Sequence, residues 1–172
     1  RFKAFGLELN LEKTRIVYCK DDERRGDYTH TSFDFLGYTF RPRRSKNRYG
    51  RYFINFSPAI SNKAKKAIRK NVKSWKIQLK VDKNINDLSN MFNKRIQGWI
   101  NYYGHFYKSE MYGVLRYVNQ KLKYWVRRKY KKLNSSRRAE RWLGQIALRE
   151  PNLFAHWKMG ILPAVSNGSC MS

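Results

Sequence analysis

The chain has 172 residues, 41% of them apolar and 16% aromatic, with two cysteines and four prolines. That is enough for one or two ordinary cores, and it excludes a disulfide-stapled miniprotein as well as a disordered basic tail. Thirty-eight Lys and Arg against twelve Asp and Glu leave +26 at pH 7, a self-repelling surface whose natural partner is a polyanion, nucleic acid foremost.

The first third alternates with the period of strands. Arg15 to Cys19 is rich in β-formers, Phe33 and Phe35 and then Tyr38 and Phe40 give short period-2 stretches, and Tyr49 to Ile54 follows a basic, turn-like run from Pro42 to Asn47. These predict a small antiparallel sheet. Asp21 to Thr29 is charged and contains Gly26, which predicts a loop.

After Pro58 the period becomes helical. Ser61 is placed to cap a helix from about Asn62 to Lys80, with Ala64, Ile68, Val72, Trp75 and Leu79 as its inner stripe. A second helix is predicted from about Ile85 to Tyr107, with Leu88, Phe92, Ile96, Trp99 and Tyr103 on one side. A third, Glu110 to Lys131, repeats the pattern at Val114, Val118, Leu122 and Trp125. A fourth, Ser136 to Arg149, carries Trp142, Leu143 and Ile146. Pro151 ends it, an apolar turn from Leu153 to Trp157 follows, and Val165 to Ser172 reads as a polar tail. The fold class is therefore α+β, a small antiparallel sheet followed by a helical bundle.

Charge is concentrated in that bundle: residues 61–132 carry 20 basic and 3 acidic side chains, which makes the middle of the chain its polyanion-facing part. Lys63, Lys65, Lys66, Arg69, Lys70, Lys73, Lys76 and Lys80 include no carboxylate among them. Like charges three and four residues apart on a helix each cost a few tenths of a kcal/mol, and phosphates offset that repulsion. The same logic applies to Lys121, Lys123, Arg127, Arg128, Lys129, Lys131 and Lys132. The candidate nucleic-acid-binding residues are Lys63, Lys66, Arg69, Lys70, Lys73, Lys76, Arg95, Lys121, Arg127, Arg128 and Lys131. Trp99 and Tyr103 fall on the apolar stripe and are expected in the core, with Gly98 offering a close approach to a neighbouring helix. Tyr102 and Tyr107 are equally open to base stacking or to packing.

Cys19 and Cys170 form no C-x-x-C pair, and His30, His105 and His156 stand singly, so no zinc-ligand spacing exists and no metal is expected in this chain. Asp21, Asp22 and Glu23, the one acidic cluster, read as a solvated loop. No apolar run approaches the roughly 20 residues of a membrane span and the first residues lack a signal-peptide core, so a soluble, cytoplasmic protein is expected.

Three motifs carry a family resemblance. Gly6-Leu7-Glu8-Leu9-Asn10-Leu11-Glu12-Lys13-Thr14-Arg15, followed by Phe33-Asp34-Phe35-Leu36-Gly37-Tyr38-Thr39-Phe40, resembles the last two palm motifs of reverse transcriptases encoded by group II introns. Ile96-Gln97-Gly98-Trp99-Ile100-Asn101-Tyr102-Tyr103-Gly104 looks like the signature of their maturase-specific domain, the thumb or domain X. The resemblance implies the end of the palm at residues 1–57, a helical thumb or maturase domain at 58–150 and a short extension at 151–172. It implies three partners: group II intron RNA, an RNA-template and DNA-primer duplex, and the fingers and remaining palm of the same protein.

The family's Tyr-x-Asp-Asp box, which holds two Mg²⁺ ions, is absent from this sequence. Phosphoryl transfer needs carboxylates that clamp such metals, so Mg²⁺ is implied for the full-length enzyme and the chain alone is expected to be inactive as a polymerase. By the resemblance Lys13 contacts the incoming triphosphate; by its spacing alone it is a lysine whose stem packs and whose charge is solvated. Phe35, Leu36, Gly37 and Tyr38 resemble the primer grip, with Gly37 permitting a close backbone approach and Phe35 and Leu36 expected in the core. A free-standing basic RNA-binding or RNA-chaperone module is the alternative; it explains the charge but not the order of the motifs.

Overall fold

The computed structural model describes residues 5, 6, 8, 10, 12, 14–24 and 26–163. The chain divides into two compact units between Ser61 and Asn62. The first holds a three-stranded antiparallel sheet in the order β1 (Phe33–Phe35), β2 (Tyr38–Lys46), β3 (Tyr52–Ile60). Strands β1 and β2 join through two residues, Leu36 and Gly37, with φ of 47° and 82°. Positive φ at both positions gives a turn whose twist matches that of the strands it joins. Phe33 stacks on Phe40 across the pair, ring centroids 4.8 Å apart.

Two expectations are corrected here. Pro42 to Lys46 is not a turn but the second half of β2, paired with β3 from Pro42↔Phe56 to Lys46↔Tyr52. β1 pairs no further than Phe40, which leaves one edge of β2 open at Pro42, as a strand proline requires. Alternation continues through the arginines: Arg43 is 8% exposed and donates to the carbonyls of Ser57 and Thr39, both at 3.3 Å, while Arg44 points outward. The chain reverses instead at Asn47, whose Oδ1 accepts from the backbone N–H of Tyr49 and Arg51, each at 2.9 Å. The second correction is Arg15 to Cys19, which forms no strand; Tyr18 N–H bonds the His30 carbonyl at 2.9 Å, and no ladder follows.

The second unit is helical: α1 (Asn62–Ser74), α2 (Ile85–Tyr103), α3 (Ser109–Lys129), α4 (Ser136–Arg149) and the single turn α5 (Ala155–Lys158). α1 stops six residues before the expected Lys80. Lys76 takes a left-handed conformation, φ 48°, and starts a 3₁₀ turn at Ile77–Leu79. That turn aims Ile77 inward, 1% exposed, and leaves Leu79 outside the core at 48%. α2 begins on a capping box in which Asn84 and Asp87 each accept from the other's backbone N–H at 2.9 Å, and it ends at Tyr103 rather than Tyr107. α3 is the central element, touching α1, α4 and the 3₁₀ turn. It buries Val114, Val118, Leu122 and Trp125, as its spacing predicts.

Residues 151–163 are built into this unit. Phe154, Ala155, His156 and Trp157 are buried, and α2 holds the turn: Ser89 and Asn93 donate to the Leu153 carbonyl while Asn93 Oδ1 accepts from Ala155 N–H at 2.7 Å. Val165 to Ser172 lie outside the described residues. Among the described residues no helix is long and apolar enough to cross a membrane.

Candidate nucleic-acid interface

The apolar stripe of α1 (Ala64, Ile68, Val72) is buried, so the remaining faces of the helix must meet solvent. Lys63, Lys66, Lys70 and Lys73 are all exposed there, at the three- and four-residue spacing that makes one continuous cationic strip. Arg69 is exposed at the flank, its guanidinium 3.6 Å from where a Cβ on Gly113 of α3 would stand. Lys76 is exposed beyond the helix end.

The other cations divide into spent and free. Lys65 ion-pairs with Glu110 across α1 and α3, and Lys123 lies 3.6 Å from Glu140. Lys129 Nζ donates to the carbonyls of Val81 and Lys83 at 2.9 and 2.6 Å, and Arg127 Nε to that of Asn134 at 2.6 Å. Arg127, Arg128 and Lys129 sit in the last turn of α3, where the helix dipole favours cations with no ligand at all. Arg128, Lys131 and Arg95 are exposed, and Lys121 is half-buried with its ammonium 4.9 Å from the Tyr117 ring centroid.

Sequence spacing did not reveal the groove of about 750 Å³ lined by Arg69, Arg116, Lys123 and Glu140 of α1, α3 and α4. Its cations come from α1 and α3 and its carboxylate from α4, and periodicity within one helix cannot bring them together.

Phe35 and Leu36, expected in the core, are 58% and 67% exposed. The two-residue reversal leaves no chain to cover them, and Leu36 takes a positive φ that a non-glycine residue adopts at a cost. Gly37 and Tyr38 are half-buried beside them. Lys13 lies outside the described residues.

Trp99 and Tyr103 are half-buried rather than fully buried, and nothing lies within 4 Å of a Cβ placed on Gly98, so no helix approaches there. Burial, and secondarily the neighbouring Tyr102, holds the Tyr103 hydroxyl above its ordinary pKa. Tyr102 is 49% exposed and Tyr107 half-buried. His156 is wholly internal, and burial depresses its pKa to about 3.

Asp21 Oδ1 accepts from the backbone N–H of Glu23 and Arg24, and Asp22 Oδ1 from that of Ile54. Two of the cluster's three carboxylates, those of Asp21 and Asp22, are thus engaged by backbone. Among the described residues no group of three or more His, Cys, Asp or Glu could hold a metal ion.

Residues 65–143 match the family model for the group II intron maturase-specific domain. Neither the curated proteins nor the solved structures gave a match. The match falls within the helical unit, which is therefore similar over those residues to the maturase-specific domain of group II introns.

Proposed function

We propose that this chain is the thumb and maturase segment of a group II intron-encoded reverse transcriptase, with the last palm motifs ahead of it. In this reading the exposed strip of α1 and the free cations at the end of α3 hold the phosphates of structured intron RNA during splicing. The same helices grip the template-primer duplex during copying, and the Leu36–Gly37 reversal presents its backbone to the primer. Mg²⁺ chemistry belongs to carboxylates elsewhere in the parent enzyme, and the fingers and the remaining palm are this segment's protein partners.

The observation that carries the proposal is the strip Lys63, Lys66, Lys70 and Lys73, exposed and without a carboxylate on α1, within a domain matched to maturases. A free-standing RNA chaperone accounts for the charge alone. The test is a salt titration of binding to a structured intron RNA. Six to eight neutralised phosphates give log K against log salt a slope of about −4 to −7, and replacing Lys66, Arg69, Lys70 and Lys73 with Gln flattens it by up to about 3. An unchanged slope moves the contact away from α1 and overturns the assignment.

A further inference from the structure

The basic run of β2 and of the reversal that follows it serves neither the helical strip nor the primer-grip turn, yet it stands beside two of the most exposed aromatic rings among the described residues. Arg41, Arg44, Lys46, Arg48 and Arg51 are exposed within eleven residues, and no acidic residue occurs from Phe35 to Val81. Tyr49 and Tyr52 are 73% and 58% exposed. Arg44 places its guanidinium 4.1 Å from the Tyr52 ring centroid, Lys46 its ammonium 5.5 Å from the same ring, and Arg48 its guanidinium 4.7 Å from the Tyr49 ring.

We propose that the β2–β3 hairpin arm is a second nucleic-acid site, which takes unpaired bases of a single strand on Tyr49 and Tyr52. The arm is preorganised: nine residue pairs hold it, Asn47 ties its reversal through two backbone N–H groups, and Gly50 turns with φ 81°. Phosphates alone would need only the cations. Exposed rings gain by meeting another π-face, and a duplex hides the faces of its bases while a single strand presents them. The stacked guanidiniums add cation–π attraction and leave charge beside each ring for the strand's backbone. Recognition of this kind tolerates any sequence, because every base has a π-face. The inference goes beyond the maturase reading and does not require the α1 strip.

The experiment uses the full chain with two probes, an oligouridylate of about twelve nucleotides and a fully paired RNA stem. Replacing Tyr49 and Tyr52 together with Ala should weaken oligouridylate binding about ten- to a hundredfold. It should leave stem binding and the salt slope in place, since no cation is lost. The Phe pair should bind as the parent does. Parent-like binding by the Ala pair, equal losses on both probes, or a Phe pair as weak as the Ala pair would each overturn the site. Circular dichroism checks the fold of each variant. Should the Ala pair not fold, ultraviolet crosslinking of the parent to oligouridylate decides: crosslinks on the Tyr49 or Tyr52 peptide support the site, and crosslinks confined to the helical unit refute it. The Gln variant of α1 read on the stem tests the maturase reading separately, so either can fail alone.

Discussion

The indole of Trp75 stacks on that of Trp99, ring centroids 5.5 Å apart and planes 8° from parallel. Trp75 also stacks on Phe92 at 4.4 Å, so the tryptophan that follows α1 meets two rings seven residues apart on α2. Trp75 is 7% exposed and Trp99 only half-buried. The signature tryptophan thus closes the rim of the core, with Trp75 beneath it.

Two substitutions should rank accordingly. Trp75→Ala removes a buried ring from a stack and should cost about 3 to 5 kcal/mol of stability; Trp99→Ala, whose ring already meets water on one side, about 1 to 3. Thermal melts beside filter-binding titrations read both. A Trp99→Ala protein that melts like the parent but loses most of its RNA affinity would make Trp99 a stacking platform instead of a rim residue.

The helical unit was legible because each stripe was a local, periodic signal: Val114, Val118, Leu122 and Trp125 had one face to share and shared it. What sequence hides is non-local. Nothing near Lys76 in sequence announces a left-handed residue, so periodicity alone extends α1 to Lys80. Periodicity assigned Trp99 to a stripe but could not say how deep that stripe runs at its end. In the sheet unit, arginine made β2 look like a turn, although Arg43 is an inward-facing strand residue with its guanidinium satisfied by carbonyls. The cationic strip on α1 was readable from composition; which cations are engaged internally depends on tertiary partners such as Glu110 for Lys65.

His156 gives the unit a pH dependence. Its Nε2 lies 2.7 Å from Asn119 Oδ1, which also accepts from Trp157 Nε1 at 2.8 Å, so the ring is the neutral tautomer with its proton on Nε2. Burial holds its pKa at about 3 against an ordinary 6.5. The unfolded chain therefore takes up a proton that the folded chain refuses. The stability is fully present above pH 6.5 and is lost as pH falls toward 3, by about 2 kcal/mol between pH 7 and pH 5. Denaturant titrations at those two pH values should show this loss in the parent, and a smaller one in His156→Gln, whose amide can still donate to Asn119. Equal losses in both would place the sensitivity elsewhere.

Lys129 and Lys131 carry the same charge two residues apart, but only one is engaged by the fold. Lys129 donates to the carbonyls of Val81 and Lys83, which pins the segment after the 3₁₀ turn to the end of α3, and its ammonium lies 5.5 Å from the Trp125 ring centroid. Lys131 is exposed. Lys129→Gln should therefore lower stability by about 1 to 3 kcal/mol, because two carbonyls lose a charged donor, and should leave the salt dependence of RNA binding nearly as it was. Lys131→Gln should do the reverse, with an unchanged melt and a salt slope flatter by about 1. Both variants are read by the same melt and the same titration. If Lys129→Gln melts like the parent and flattens the slope as Lys131→Gln does, the carbonyl clamp contributes nothing to the fold, and the whole end of α3 faces phosphate.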